Sequence, residues 1–168
     1  TAFGCTLQGL VPEDDVIALV VACVAAGADE AGLSDTTGMA NPAQVKRLFN
    51  RLRAELGPQA GAAHMHNTRG LGLANCLAAY EAGVRTFDAS LAGLGGCPYA
   101  PGASGNVVTE NLVFMFEDMG IRTGVDLPRL LAARQPLAQG LPAEALYGML
   151  PLAGLPKGFV PQQYAPAH

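Results

Sequence analysis

The chain has 168 residues, and 10 Lys and Arg against 14 Asp and Glu give it a formal charge of −4. Half of it is hydrophobic and 14% charged, against about 25% charged in an average soluble domain, which excludes a disordered chain. An acidic balance without basic runs or interleaved aromatics also excludes a phosphate-tracking nucleic-acid binder.

The elements follow in chain order. Thr1–Cys5 reads as the end of a strand, and a start of this kind is expected of the C-terminal part of a longer chain. Glu13–Ala26 reads as a helix, with Pro12 at its start, acidic residues in its first turn and Gly27 as a stop. Its stretch Val16–Val24 is apolar nearly all round and calls for a partner surface; Cys23, inside it, reads as core. The apolar run Val16–Ala28 is far shorter than the roughly 18–20 residues that cross a bilayer, so no membrane partner is expected. Ala28–Ser34 is a short strand ending in Asp35-Thr36-Thr37-Gly38. Asn41 as N-cap and Pro42 at N1 open a helix to about Leu56, closed by Gly57-Pro58. A strand Gly61–His66 leads into a helix Gly72–Ala82, stopped by Gly83. Val84–Leu91 is a further strand, followed by the Gly-rich run Ala92–Gly105 and a helix Val107–Met119. Asp126–Ala138 and Pro142–Leu150 read as helices before a Pro-rich tail.

Strands alternating with helices require a parallel sheet, because parallel pairing needs a crossover. A small doubly wound sheet and half of a (β/α)8 barrel both satisfy that pattern. The polar residues favour the barrel: Asp35, His64, His66 and the loop after Leu91 all fall at strand C-terminal ends, where a barrel places its active site.

Four groups of residues carry chemistry. In His64-Met65-His66, residues i and i+2 of a strand project to one face, as two adjacent metal ligands must. Asn106 offers a neutral oxygen ligand, and is equally a helix N-cap. Glu110, four residues on, would share its helix face and orient it, or would simply suit the helix dipole. Cys97 sits in a glycine-rich loop able to bring a thiol to a ligand; a phosphate-binding loop is the rival, weakened by the lack of Lys or Arg between Arg85 and Arg122. Asp35 is a pocket carboxylate or a turn residue. The four cysteines, Cys5, Cys23, Cys76 and Cys97, contain no Cys-x-x-Cys pair and read as the reduced thiols of a cytoplasmic protein.

Three stretches, Leu33-Ser34-Asp35-Thr36-Thr37-Gly38, His64-Met65-His66-Asn67-Thr68-Arg69-Gly70 and Gly93-Leu94-Gly95-Gly96-Cys97-Pro98-Tyr99-Ala100-Pro101-Gly102-Ala103-Ser104-Gly105-Asn106, are similar to motifs of a known family. Over about Thr1–Val125 the chain resembles the C-terminal half of the 3-hydroxy-3-methylglutaryl-CoA lyases, a family of DRE-TIM metallolyases. The resemblance implies an α/β fold of the (β/α)8 TIM-barrel family, with residues 1–125 as about the last four β/α units and 126–168 as a helical extension and Pro-rich tail. It implies that His64, His66 and Asn106 bind Mg²⁺ or Mn²⁺, that Cys97, Asp35 and His64 are catalytic, and that the substrate is an acyl-CoA. The full-length protein is then expected to be a homodimer that cleaves the thioester into acetyl-CoA and acetoacetate. The family's Asp-Arg pair and catalytic Glu have no counterpart here, so the chain alone is expected to be inactive. A condensing synthase of the same superfamily, or a non-catalytic half-barrel that pairs with a partner chain, is the alternative.

Overall fold

A computed structural model describes residues 1–96 and 105–161. It divides into two compact units, Thr1–Ala89 with the described part of 95–107, and Ser90–Leu94 with the described part of 108–168.

The first unit begins with α1, Glu13–Ala25, its first turn carrying Glu13, Asp14 and Asp15. Carboxylates there favour the helix dipole and also bind neighbouring arginines: Glu13 meets Arg47 at 2.7 Å and Arg51 at 3.3 Å. Only Val16, Ile17 and Val20 of α1 are buried. Cys23 is exposed, which corrects its reading as core; the helix buries one narrow stripe and leaves the rest of its apolar surface, Leu19 included, outside.

Strand β1, Ala31–Asp35, starts later than expected and includes Asp35. It pairs in parallel with β2, Ala60–Met65, aligning Ser34 with His64 and Asp35 with Met65. Gly32 is required at the irregularity between Ala31 and Leu33, since a Cβ there would lie 2.4 Å from the Ala62 carbonyl oxygen. Between them runs α2, Pro42–Leu56, with the Asn41 side chain accepting the Gln44 amide as the cap predicts. Its face of Val45, Leu48, Phe49 and Leu52 is almost wholly buried. After β2 comes α3, Gly72–Glu81, packed on α2.

Two expected strands are reduced. Phe87–Asp88, β3, is all that remains of Val84–Leu91; it pairs in parallel with β2 and completes a three-stranded sheet in the order β1-β2-β3. Val84 cannot join it because its amide closes the end of α3 on the Ala79 carbonyl. Thr1–Cys5 forms no strand: Cys5 and Gly9 exchange hydrogen bonds in a tight turn, and Ala2 alone donates to Ser34 of β1. The segment is pinned instead by side chains, Thr37 Oγ1 donating to the Gly4 carbonyl and Gln44 Nε2 to that of Phe3. The fold is thus α/β with a parallel sheet.

In the second unit α4 spans Thr109–Asp118. The helix expected over Asp126–Ala138 is two, α5 (Leu127–Ala132) and α6 (Arg134–Gly140), because Pro136 has no N–H to continue the ladder. The helix expected at Pro142–Leu150 is absent; Gly148 takes φ +123°, the Tyr147 amide is drawn to the Ala92 carbonyl, and a short α7 runs Leu150–Ala153. Val113, Leu127 and Leu150 form the core of this unit, covered by Phe114, Leu130, Leu131 and Phe159.

Candidate active site

The site is built at the C-terminal ends of β1 and β2, within the first unit. His64 is the penultimate residue of β2 and His66 follows its end. The strand period turns both imidazoles to one side, and their Nε2 atoms stand 3.2 Å apart. Two imidazole nitrogens bound to one ion at a right angle are separated by about 3 Å, given metal–nitrogen distances near 2.1 Å; the pair already stands at about that spacing, joined by a hydrogen bond between the rings that a shared cation would replace. His66 is buried, and its Nδ1 has no hydrogen-bond partner among the described residues. Burial holds its imidazole below the usual histidine value, and neighbouring His64 adds to the effect; a neutral imidazole is the form that ligates. His64 Nδ1 faces Asp88 Oδ2 at 3.9 Å, a carboxylate at the end of β3 that the sequence motifs did not single out.

Asn106 is brought beside His66 by an antiparallel bridge between the two residues, and its Nδ2 donates to the Gly95 carbonyl at 3.2 Å. It does not cap α4, whose capping position is Val108. Asn106 therefore lies before the helix, and the expected shared face with Glu110 does not exist. Glu110 is fully buried and is bound instead by the Ala92 amide and by Arg134. This corrects its expected role in orienting Asn106. Arg134 itself gave no signal in sequence, lying 24 residues from its partner.

Asp35 ends β1 and is 1% exposed. Its Oδ1 accepts the Met39 and Ala40 amides at 2.9 and 3.1 Å, while its Oδ2 is buried without a partner among the described residues. Desolvation raises its carboxyl above the usual carboxylate value, against the pull of those amides and of Arg69. It is both the turn residue and a buried carboxyl that holds its proton more tightly than an exposed one. Asn67, Arg69 and Asn75 organise the surrounding loops: Asn67 Oδ1 accepts the Gly72 amide, Arg69 donates to the carbonyls of Thr37 and Gly38, and Asn75 Nδ2 donates to that of Ala40. Cys97, the expected thiol, lies outside the described residues. Among the described residues no three His, Cys, Asp or Glu side chains converge as a metal cage; two imidazoles beside a carboxamide are the donor set on hand.

The HMGL-like family profile matches residues 1–136. The chain belongs to the HMGL-like family. The family match runs past Val125, into the C-terminal helices. Among curated HMGL-like proteins, the chain is 45% identical over 149 residues to (R)-citramalyl-CoA lyase of Chloroflexus aurantiacus, covering 88% of this chain and 47% of that one. It is 48% identical over 133 residues to a hydroxymethylglutaryl-CoA lyase of Bacillus subtilis, covering 79% and 44% respectively. A structure of an HMG-CoA lyase from Acinetobacter baumannii, in complex with coenzyme A and 3-methylmalate, superposes with a TM-score of 0.88 at 47% identity, covering 96% of this chain and 52% of that one. The chain thus spans about half the length of the relatives it matches. No described helix is long and apolar enough to cross a membrane.

Proposed function

We propose that this chain is the metal-binding, C-terminal half of an acyl-CoA lyase that cleaves 3-hydroxy-3-methylglutaryl-CoA to acetyl-CoA and acetoacetate. Residues 1–125 would form part of a (β/α)8 barrel, with 126–168 as its extension. The observation that carries the reading is the His64–His66 pair, 3.2 Å apart at the end of a parallel strand, in a chain of this family. His64, His66 and Asn106 would hold a divalent cation, Mg²⁺ or Mn²⁺, which mixed imidazole and oxygen donors suit. Bound there, the cation would polarise the substrate's tertiary hydroxyl and lower its pKa.

The chain's own residues would then manage protons and water. His66, held neutral by burial, keeps its ring nitrogen available near pH 7. Asp35, at the adjacent strand end, is our candidate proton acceptor, a buried carboxyl whose raised pKa suits the task. As the hydroxyl proton leaves, the C–C bond opens; the electron pair passes to the carbon α to the thioester carbonyl, and the resulting enolate takes a proton at that carbon to become acetyl-CoA. The thiol of Cys97 is our candidate donor for that last proton, which is why the glycine-rich segment would matter more to turnover than to ion binding.

The test uses manganese binding by the chain and turnover by a protein carrying both halves. We expect His66→Ala to weaken Mn²⁺ binding at least tenfold and to remove activity. Cys97→Ala should keep Mn²⁺ affinity within threefold and lower kcat by about 10²-fold, the usual scale of a lost acid–base group. Equal loss of metal affinity in both variants would refute the roles. The 45% identity to a citramalyl-CoA lyase favours a second reading of the acyl group, so (R)-citramalyl-CoA is assayed in parallel and the higher kcat/KM assigns the substrate. Condensation of acetyl-CoA, without cleavage of either ester, would favour a synthase.

A further inference from the structure

The glycine-rich segment departs from a turn whose backbone is held in an unusual way. Ala92 takes φ +58° although it has a side chain, and Gly93 and Gly95 follow at +68° and +93°. A non-glycine residue keeps that conformation only where its surroundings impose it. Ala92 is fully buried, and both oxygens of Glu110 accept its amide, at 3.2 and 3.0 Å. Arg134 Nη1 donates to the Glu110 carboxylate and, at 2.9 Å, to the Tyr147 carbonyl. The Tyr147 amide returns to the Ala92 carbonyl at 2.9 Å. Both backbone groups of Ala92 are therefore tied to the segment that follows α6, the amide through one carboxylate and one guanidinium and the carbonyl directly by the Tyr147 amide. The Glu110 side chain is 0% exposed and that of Arg134 15%, so water does not compete for the bonds from the Ala92 amide to Glu110, while the bond to the Tyr147 carbonyl lies at the surface.

We infer that Arg134 is a positioning residue for the lyase site: by pressing the Glu110 carboxylate onto the Ala92 amide and holding the Tyr147 carbonyl, it fixes the left-handed turn five residues before Cys97. The catalytic consequence rests on the lyase reading; the clamp does not. Arg134 acts through Glu110 and touches no reacting atom. Arginine suits the task because its planar guanidinium places donors toward a carboxylate and a carbonyl at once, which a lysine ammonium does without a fixed direction. The rival account is that Arg134 merely neutralises a buried carboxylate.

Two variants separate these accounts. Arg134→Met breaks the clamp and leaves a buried charge; the double variant Glu110→Gln/Arg134→Met breaks it and leaves none. The chain is followed by residue-resolved amide exchange and by iodoacetamide labelling read on the peptide Thr86–Arg122, which holds Cys97 as well as Ala92. Both variants are expected to speed exchange at Ala92 at least tenfold and to change the Cys97 labelling rate at least threefold. Exchange in α2 and labelling of exposed Cys23 should stay within twofold of wild type in the double variant. In a protein carrying both halves, kcat should fall at least tenfold in the double variant with KM within threefold. Wild-type exchange at Ala92 in the double variant, equal acceleration in α2, or an unchanged kcat in an active enzyme overturns the inference. Absence of lyase activity in the wild type overturns the proposed function instead, while exchange and labelling still read the clamp.

Discussion

At the residue scale the two buried titratable groups of the site respond to pH in opposite senses. Asp35 has a raised carboxyl pKa because it is desolvated. Between its unfolded value, near 4, and the higher folded one, the folded state binds more protons, so its contribution to stability is present in acid and lost as pH rises. His66 is lowered: the unfolded state binds more protons below about pH 6.5, so stability present above that value is lost on acidification. We expect Asp35→Asn to melt at the same temperature as wild type or higher at pH 7, while activity falls at least tenfold; a Tm drop of several degrees at pH 7 would mean that the carboxylate is stabilising. Loss of Mn²⁺ on acidification should follow His66, with half-release at or below pH 6.5. Cys76 offers a control, since burial pushes its thiol up to about 12 and it should resist labelling at pH 8 while exposed Cys23 reacts. The histidine pair was legible in sequence because a period of two has one geometric outcome on a strand. The Glu110 partners were not, because a bond spanning 24 residues leaves no periodic trace.

At the element scale, the helices of the first unit were read more accurately than its strands, and the reason is chemical. Asn41 and Pro42 mark a helix start by side-chain and ring geometry that acts within three residues, and α2 begins where they place it. Strand ends carry no such local marker; they are set by partners, so Val84 is lost to the end of α3 and Thr1–Cys5 to a turn at Gly9. The cap yields a quantitative expectation. Asn41→Ala removes the acceptor of the Gln44 amide and should cost about 1 kcal/mol in a urea titration. Gly32→Ala should cost more, because its methyl would stand 2.4 Å from the Ala62 carbonyl oxygen and force β1 away from β2; overpacking of this kind costs about 1–3 kcal/mol. A Gly32→Ala chain as stable as wild type would show that the β1–β2 register shifts freely.

At the scale of the whole molecule, the surface is more apolar than a solitary chain tolerates well. Leu7, Leu10 and Leu19 are 97%, 82% and 66% exposed, and α1 presents its unburied apolar side around Leu19. Strand β1 lies at the edge of the sheet, met outside it by the Ala2 amide on Ser34; an edge so lightly covered invites a further strand. Alternation of strands and helices made the parallel sheet legible, but how many strands pair is a property of neighbours rather than of any one segment. Exposed apolar surface and an open edge both favour association, and a formal charge of −4 opposes it only weakly. We therefore expect the isolated chain to self-associate, its weight-average mass by light scattering rising with concentration. Leu19→Lys should shift the onset to at least threefold higher concentration, because it places a charge on the unburied side of α1 and leaves the buried residues Val16, Ile17 and Val20 unchanged. A wild-type chain that stays at single-chain mass throughout would mean that this apolar surface needs no partner, and the reading of residues 1–125 as one part of a larger barrel would lose its physical support.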